Sequence, residues 1–519
     1  MSDAARALSV HRAAEEAPDR LAVVADEGGL DFADLAARVG ARQVELRRAG
    51  LPPRTRVGVV AHPRLEDLVL VTAVMEEGLV PCLVHPRLPP AVRARLLARV
   101  GAAGSVDEGG FRPVTGAGPG DSPGSASGAG PRSARGPESA RGPESARGPE
   151  SAPGPESAPG PESAGWSDPS VPRGPEDGAI FFTSGSTSEP KGVALPSAAL
   201  LAAATASAER LGWTDADRWL LDLPVSHIGG FSVLVRTRLA RRPVVLPEPA
   251  RIGGRFDPAR MVARVRRHRV SLLSLVPTMV QRLVEAGLEA PASVRAVLLG
   301  GAPASPALIE RARGLGWPIL ATYGMTEAAS QICTQVPGAS TTDDVGPPLR
   351  GMRVRVRASG AIEVSGPSVM QGYLPPEPEA FTPDGWLRTG DLGRIDAAGR
   401  LHVVGRASEV VITGGENVSP ARVEAALALV PGVAAAVVYG CPDPEWGERL
   451  VADVVAEDPA APPPAAAIDA ALAARLAPFE RPKRYRLVET LPLLPSGKVD
   501  RRRVRAQGAP GGEVLDDLH

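Results

Sequence analysis

The chain has 519 residues, too many for one ordinary hydrophobic core, so two or three folded units are expected. Its 58 basic and 59 acidic residues give a net charge of -1, which leaves no electrostatic footprint for nucleic acid. Cys82, Cys333 and Cys441 are too widely spaced for a disulfide framework or a zinc knuckle. Residues 1–20 lack an apolar signal core and no run is long enough to span a membrane, so a cytoplasmic protein is expected.

Apolar runs at 21–24 and 57–60 read as strands. Residues 32–49 and 66–77 read as amphipathic helices stopped by Gly50 and Gly78. From 116 to 172 the composition collapses to Gly, Pro, Ser, Ala, Arg and Glu. A Ser-Ala-Arg-Gly-Pro-Glu hexapeptide repeats identically from Ser133, Ser139 and Ser145, then twice more from Ser151 and Ser157 with Pro replacing Arg. Six residues without a large apolar position leave nothing to stack, so this tract is expected to be a disordered insertion. The G-x-S-x-G pattern inside it, from Gly120 to Gly124, lacks the strand and helix a nucleophile elbow requires. Strand–loop–helix units resume at 179–182 with a helix from Ser197, at 294–299 with a helix from Pro306, and at 319–322 with a helix from Glu327. From Met352 the apolar period becomes two, which indicates a small β-rich unit. After Arg406 a compact tail follows, with a helix from Ser419-Pro420, strands at 433–439 and 450–455, and a helix at 465–476. The fold class is therefore α/β. A large N-terminal domain (1–405) of α/β subdomains plus a small β-rich unit carries the insertion. A small α+β C-terminal domain (406–505) follows, then a tail (506–519).

Lysine occurs only at Lys191, Lys483 and Lys498 in an arginine-rich chain, so positions that kept the compact ammonium invite a specific role. Lys191 closes the segment Thr183-Ser184-Gly185-Ser186-Thr187-Ser188-Glu189-Pro190-Lys191-Gly192, which follows a buried strand. Hydroxyls, a glycine and a lysine in one turn make a phosphate cradle, although a polar strand-end loop has the same composition. It is not a P-loop, because Pro190 precedes the lysine and Gly192 follows it. Tyr323-Gly324-Met325-Thr326-Glu327 ends another strand, where α/β sheets place ligands, and Glu327 is a suitable Mg²⁺ carboxylate. Gly300-Gly301-Ala302-Pro303, Asp391 within Thr389-Gly390-Asp391, Gly405-Arg406 and Pro495-Ser496-Gly497-Lys498 complete six ordered blocks.

In this order the blocks resemble the adenylate-forming superfamily of acyl-CoA synthetases, luciferases and peptide adenylation domains, over nearly the whole chain outside the insertion. The resemblance implies an ATP- and Mg²⁺-dependent enzyme that makes an acyl-adenylate and passes the acyl group to coenzyme A. It implies that Thr183, Ser184, Gly185, Ser186, Thr187 and Lys191 hold phosphates. Gly301, Ala302, Pro303 and Tyr323 would flank the adenine, with Gly324 and Met325 also among the cofactor-binding residues, and Asp391 with Arg406 would hold the ribose. Thr326 would contact phosphate, Glu327 would bind Mg²⁺, and Lys498 would bridge the carboxylate and the α-phosphate. A hinge near 406–409 would swing 414–417 toward the site for the thiol step. Two departures stand out: Ser188 where the family has Gly, and Ser408 at the hinge position that is usually Asp or Lys. Lys483 has no role in this scheme and reads as a surface residue.

His227 falls where the family places an aromatic or His at the acyl pocket. The runs 227–239 and 323–334, the latter containing Ser330, are most similar to o-succinylbenzoate–CoA ligases of menaquinone synthesis. Such an acid carries a second carboxylate, and Arg236, nine residues after His227, is the candidate cation. A surface arginine is the plain alternative there, as a structural hydrogen-bonder is for the histidine. A fatty or aryl acyl-CoA ligase and a non-catalytic nucleotide-binding homologue remain the other functional readings. Partners are the small-molecule acid and CoA, with no nucleic acid and no membrane span; a monomer or a homodimer is compatible with the sequence.

Overall fold

Residues 2–25, 28–107, 110–113, 178–183, 190–247, 256–413, 416–443, 446–494, 499–507 and 514–517 are described by a computed structural model. The repetitive tract, residues 184–189 of the expected phosphate loop (Ser184, Gly185, Ser186, Thr187 and Ser188 among them), Gly414-Gly415 and Lys498 lie outside them.

Two sheets with parallel centres organise the chain as far as Leu374. The first has eight strands in the order Ser330–Thr334, Ile319–Met325, Ala296–Leu299, Leu272–Leu275, Trp219–Leu220, Val244–Val245, Leu21–Ala25 and Gly28–Asp31. The second has seven, in the order Gly372–Leu374, Lys191–Pro196, Gly178–Thr183, Val80–Val84, Arg56–Val60, Gly104–Asp107 and Gly110–Pro113. Antiparallel strands form both edges of each sheet. Strands Leu272–Leu275 and Ala296–Leu299 are buried along their whole length, as a sheet covered on both faces demands. Helices Pro258–His268, Pro277–Glu285 and Pro306–Gly314 share an apolar cluster with one face. Another cluster joins side chains of both sheets to helices Phe32–Arg47, Leu65–Glu76, Ser197–Leu211 and Ile228–Ala240.

Most expected strands and helices stand within two residues of their places, while the strands at 319–322, 433–439 and 450–455 extend three or four residues further at one end, to Ile319–Met325, Val433–Asp443 and Gly447–Ala456, and the helix at 465–476 ends at Ala473. Ser305 caps the helix from Pro306 by accepting from the Leu308 N–H at 3.2 Å. Two segments differ in kind. The helix expected from Glu327 stops after one 3₁₀ turn, Thr326–Ala328; Ala329 and Ser330 then adopt φ of 51° and 100°, and the chain returns as an antiparallel strand. Gly324 permits that hairpin, since a Cβ there would sit 1.7 Å from the Ser330 carbonyl oxygen. The second difference is a strand, Lys191–Pro196, between the phosphate segment and the helix from Ser197. Its Gly192 lets strand Gly372–Leu374 approach, because a Cβ would lie 3.2 Å from Leu374 Cβ.

The period-two region is a four-stranded antiparallel sheet, Arg353–Val356, Ala361–Ser365, Leu387–Ile395 and Leu401–Arg406. After the 3₁₀ turn Ala407–Glu409 comes the α+β tail, in which the long hairpin Val433–Asp443 with Gly447–Ala456 packs on helices Pro420–Leu427 and Ala465–Ala473. Among the described residues no helix is long and apolar enough to cross a membrane.

Candidate active site

Strand Gly178–Thr183 runs parallel to Val80–Val84, so Thr183 ends at the carboxyl edge of the sheet and the hairpin brings Lys191 back opposite it. The Lys191 ammonium lies 2.6 Å from Glu377 Oε2 and 5.1 Å from the centre of the Tyr373 ring. The Tyr373 hydroxyl donates to Glu327 Oε1 at 2.8 Å. Burial, with Glu327 and Glu377 nearby, pushes that phenol well above its ordinary pKa, so it remains a donor. Glu327 is only 7% exposed, and among the described residues Tyr373 is its sole side-chain partner. A buried carboxylate satisfied by one neutral hydroxyl suits a divalent cation that takes its remaining ligands from phosphates and water. Among the described residues no group of three His, Cys, Asp or Glu side chains forms a self-sufficient metal cage. Thr326, half-buried, opens the 3₁₀ turn next to Glu327.

The neighbouring strand ends hold the other expected nucleotide residues. Tyr323, on Ile319–Met325, donates its hydroxyl to Asp391 Oδ2 at 2.6 Å. Asp391 Oδ1 takes Arg406 Nε at 2.8 Å, and Arg406 Nη1 also donates to the Thr389 carbonyl. Burial, then the Asp391 charge, raises the Tyr323 phenol well above its usual range. The structure thus joins Tyr323, Asp391 and Arg406 into one chain of contacts. Gly301, Ala302 and Pro303 form an exposed loop at the end of the adjoining parallel strand Ala296–Leu299, with Gly301 at φ 83°. Gly324 and Met325 close the strand that carries Tyr323.

On the expected acyl side His227 precedes helix Ile228–Ala240, and its ring centre is 5.2 Å from that of His85, which follows strand Val80–Val84. Arg236 projects from the same helix into the interior and is 1% exposed. It is not the surface arginine of the plain alternative. Its Nη2 donates to Ser330 Oγ at 3.3 Å and its guanidinium lies 5.1 Å from the Trp219 ring centre. Among the described residues its Nε has no hydrogen-bond partner and no carboxylate pairs with it. Burial alone pushes this guanidinium down to about 9.

Lys498 itself is not described, but the chain on either side of it is tied: Leu493 bridges Val499, and the Asp500 N–H donates to the Pro492 carbonyl at 2.8 Å. Ser408 is exposed on the 3₁₀ turn that begins the α+β tail. Lys483 is partly exposed, reaching the Pro478 carbonyl and the Trp446 ring. Sequence reasoning missed Tyr373, Glu377 and His85. The scarcity argument applied to lysine would have reached one of them, since the chain has only four tyrosines and two hold these carboxylates.

A lysine, a buried carboxylate and a tyrosine–aspartate–arginine chain thus gather at strand ends, as expected of a nucleotide-dependent enzyme. The AMP-binding enzyme family model matches residues 10–374, and that of the AMP-binding enzyme C-terminal domain matches 422–498; the chain belongs to the AMP-binding enzymes. Among curated relatives, the 2-succinylbenzoate–CoA ligase of Bacillus subtilis is 37% identical over 349 residues, 65% of this chain and 70% of the relative. That of Bacillus pumilus is 36% identical over 351 residues, 65% and 69% of the two chains. Among solved structures, the o-succinylbenzoate CoA synthetase of Bacillus subtilis with its acyl-adenylate intermediate superposes with a TM-score of 0.77. Its identity is 27%, over 97% of this chain and 98% of that one. The same enzyme with ATP and a magnesium ion gives 0.76 at 28% identity, over 95% and 98%.

Proposed function

We propose that this chain is an AMP-forming acid–thiol ligase that converts 2-succinylbenzoate, ATP and coenzyme A into the acyl-CoA, AMP and pyrophosphate. The observation that carries the choice of acid is Arg236. A fully buried cation without a counter-ion is costly, and truncating one partner of a buried ion pair typically costs about 3–5 kcal/mol for the same reason. A second substrate carboxylate supplies the missing partner, with Ser330 Oγ beside it and His227 at the head of the same helix. A monocarboxylic alkyl chain would leave the guanidinium as unsatisfied as before.

In the first half-reaction a carboxylate oxygen attacks the α-phosphorus, a new P–O bond forms and pyrophosphate leaves. Bound Mg²⁺ would be held by Glu327 and would neutralise charge on the phosphates. Lys191 and Thr326, with the hydroxyls and Gly185 of residues 183–187, bind the phosphates. Gly301, Ala302, Pro303 and Tyr323 border the base, with Gly324 and Met325 next to it, and Asp391 with Arg406 grips the ribose. Lys498 offsets the negative charge that builds between carboxylate and phosphate, where a positioned donor is worth roughly 3–4 kcal/mol. In the second half-reaction the thiol sulfur attacks the acyl carbon, AMP departs with the bonding electrons, and the thiol proton is released. The division at residue 405, with 406–505 turning about 406–409, serves the change from one half-reaction to the other. A cytoplasmic site of action matches the supply of ATP and CoA.

The test is acid-dependent pyrophosphate exchange over a panel of dicarboxylic and monocarboxylic acids, followed by CoA-dependent AMP release. Exchange is expected with 2-succinylbenzoate above all others, and lowered by about a hundredfold or more in Lys498→Ala. A preference for alkyl acids would select a fatty acyl-CoA ligase instead, and no exchange with any acid would leave a non-catalytic nucleotide-binding protein.

A further inference from the structure

Tyr373 stands at the edge of the seven-stranded sheet, on the short strand Gly372–Leu374 that pairs with Lys191–Pro196 through Tyr373 opposite Val193. One side chain there meets two charged groups of opposite sign. Its hydroxyl donates to Glu327 Oε1 at 2.8 Å, and its ring lies 5.1 Å from the Lys191 ammonium, which also meets Glu377 Oε2 at 2.6 Å. Tyrosine is suited to this double duty, having an apolar ring with a negative face and a polar tip.

We infer that Tyr373 is a positioning residue for the nucleotide step, setting with one side chain both the magnesium carboxylate Glu327 and the phosphate cation Lys191. This rests on the ATP-dependent reading above. The two arms are physically separate. A charge-assisted hydrogen bond fixes which way a short, buried carboxylate faces. The ring restricts a long, flexible ammonium that loses several rotamers when it binds phosphate. Glu327 is hydrogen-bonded from one side only, at Oε1; among the described residues nothing donates to Oε2. Losing the hydroxyl frees the carboxylate to rotate and should weaken the metal arm while leaving the lysine arm in place. Losing the ring as well should weaken both.

Calorimetric titration of ATP into the full-length protein, without acid or CoA, separates the arms when it is run across a series of Mg²⁺ concentrations and again in EDTA. For Tyr373→Phe the half-saturating Mg²⁺ concentration is expected to rise about tenfold, with ATP affinity in EDTA unchanged. For Tyr373→Leu, ATP affinity in EDTA is expected to fall as well, by about three- to tenfold. Melting temperatures confirm that both variants are folded, and the conservative Phe variant decides the matter if the Leu variant is not. The inference fails if Tyr373→Phe leaves the magnesium dependence untouched, or lowers ATP affinity equally with and without magnesium, as a merely structural residue would. Failure of the wild-type protein itself to bind ATP with Mg²⁺ would instead remove the function on which this rests.

Discussion

On the expected nucleotide side of the site the cations already have opposites: Lys191 has Glu377, and Arg406 has Asp391. On the acyl side Arg236 has one neutral hydroxyl and the Trp219 ring. In the first arrangement the Lys191–Glu377 pair is part-exposed and Arg406 is half-exposed over a buried Asp391, so a highly charged ligand can exchange partners with groups that already reach solvent. The second is fully buried and waits for a charge it does not have. A site can therefore be undemanding toward the ligand that brings many charges and selective toward the one that brings a single extra carboxylate.

Arg236→Met breaks the comparison most severely. The KM for 2-succinylbenzoate is expected to rise roughly thirtyfold or more, about 2 kcal/mol, while the KM for ATP stays level. The melting temperature of the free protein should meanwhile rise by about 2 °C or more, because a buried cation without a partner is replaced by an apolar side chain of similar length. The sign follows from the pKa. Burial lowers the folded-state value from 12.5 to about 9, so the penalty is fully present below about 9 and fades as pH rises from there toward the unfolded value. Steady-state kinetics with thermal melts in the same buffer provide the check. A variant that loses stability and binds the acid normally would make Arg236 a structural residue.

Tyr323→Phe tests the paired side. It removes the 2.6 Å hydrogen bond to Asp391 but leaves Arg406 on the same carboxylate. The KM for ATP should rise about three- to tenfold with the acid KM unchanged, since the aspartate keeps a charged partner. An equal rise in both constants would show that the nucleotide and acyl sides are not independent.

The sequence made much of this architecture legible because strong local signals agreed with the tertiary outcome. The run at 294–299 that became Ala296–Leu299 is apolar apart from Arg295, and Ser305-Pro306 marks a helix start by capping chemistry alone. The hairpin at Ile319–Thr334 was not legible. Thr-Glu-Ala-Ala-Ser has helical composition, and only the positive φ at Ala329 and Ser330 turns the chain back, a choice fixed by pairing with a sheet edge. Residue identities at the site were readable wherever a charged group sat in an ordered motif, as with Asp391 and Arg406. Tyr373 and Glu377 were not, because their significance comes from a strand pairing 180 residues distant in sequence (Tyr373 against Val193) and not from their neighbours. Arg236 was nameable as a cation, but its lack of a counter-ion belongs to the fold alone.

The smallest effect concerns the histidine pair at the acyl side. His85 Nδ1 accepts from the Arg87 N–H at 3.1 Å, so its ring proton sits on Nε2, and its ring faces His227. Burial first, then the charges of Arg87 and His62, hold its pKa below 6.5. The unfolded chain therefore takes up a proton before the folded one does as pH falls. The contribution of His85 to stability is constant above the unfolded value and is lost progressively below it, until the folded-state pKa is passed. Among the described residues His62, Arg87 and His227 are the titratable or charged groups facing it, and none of these is a carboxylate that would reverse the sign. His85→Asn retains an acceptor for the Arg87 N–H and removes the titration. Its melting temperature relative to the wild type should then be steady from about pH 8 to 7 and should gain about a degree or two by about pH 5. A difference that does not change with pH would mean that the two imidazoles are merely packed together. A gain in the opposite direction, toward alkaline pH, would place a counter-charge beside His85 and bring the acyl side closer in character to the nucleotide side.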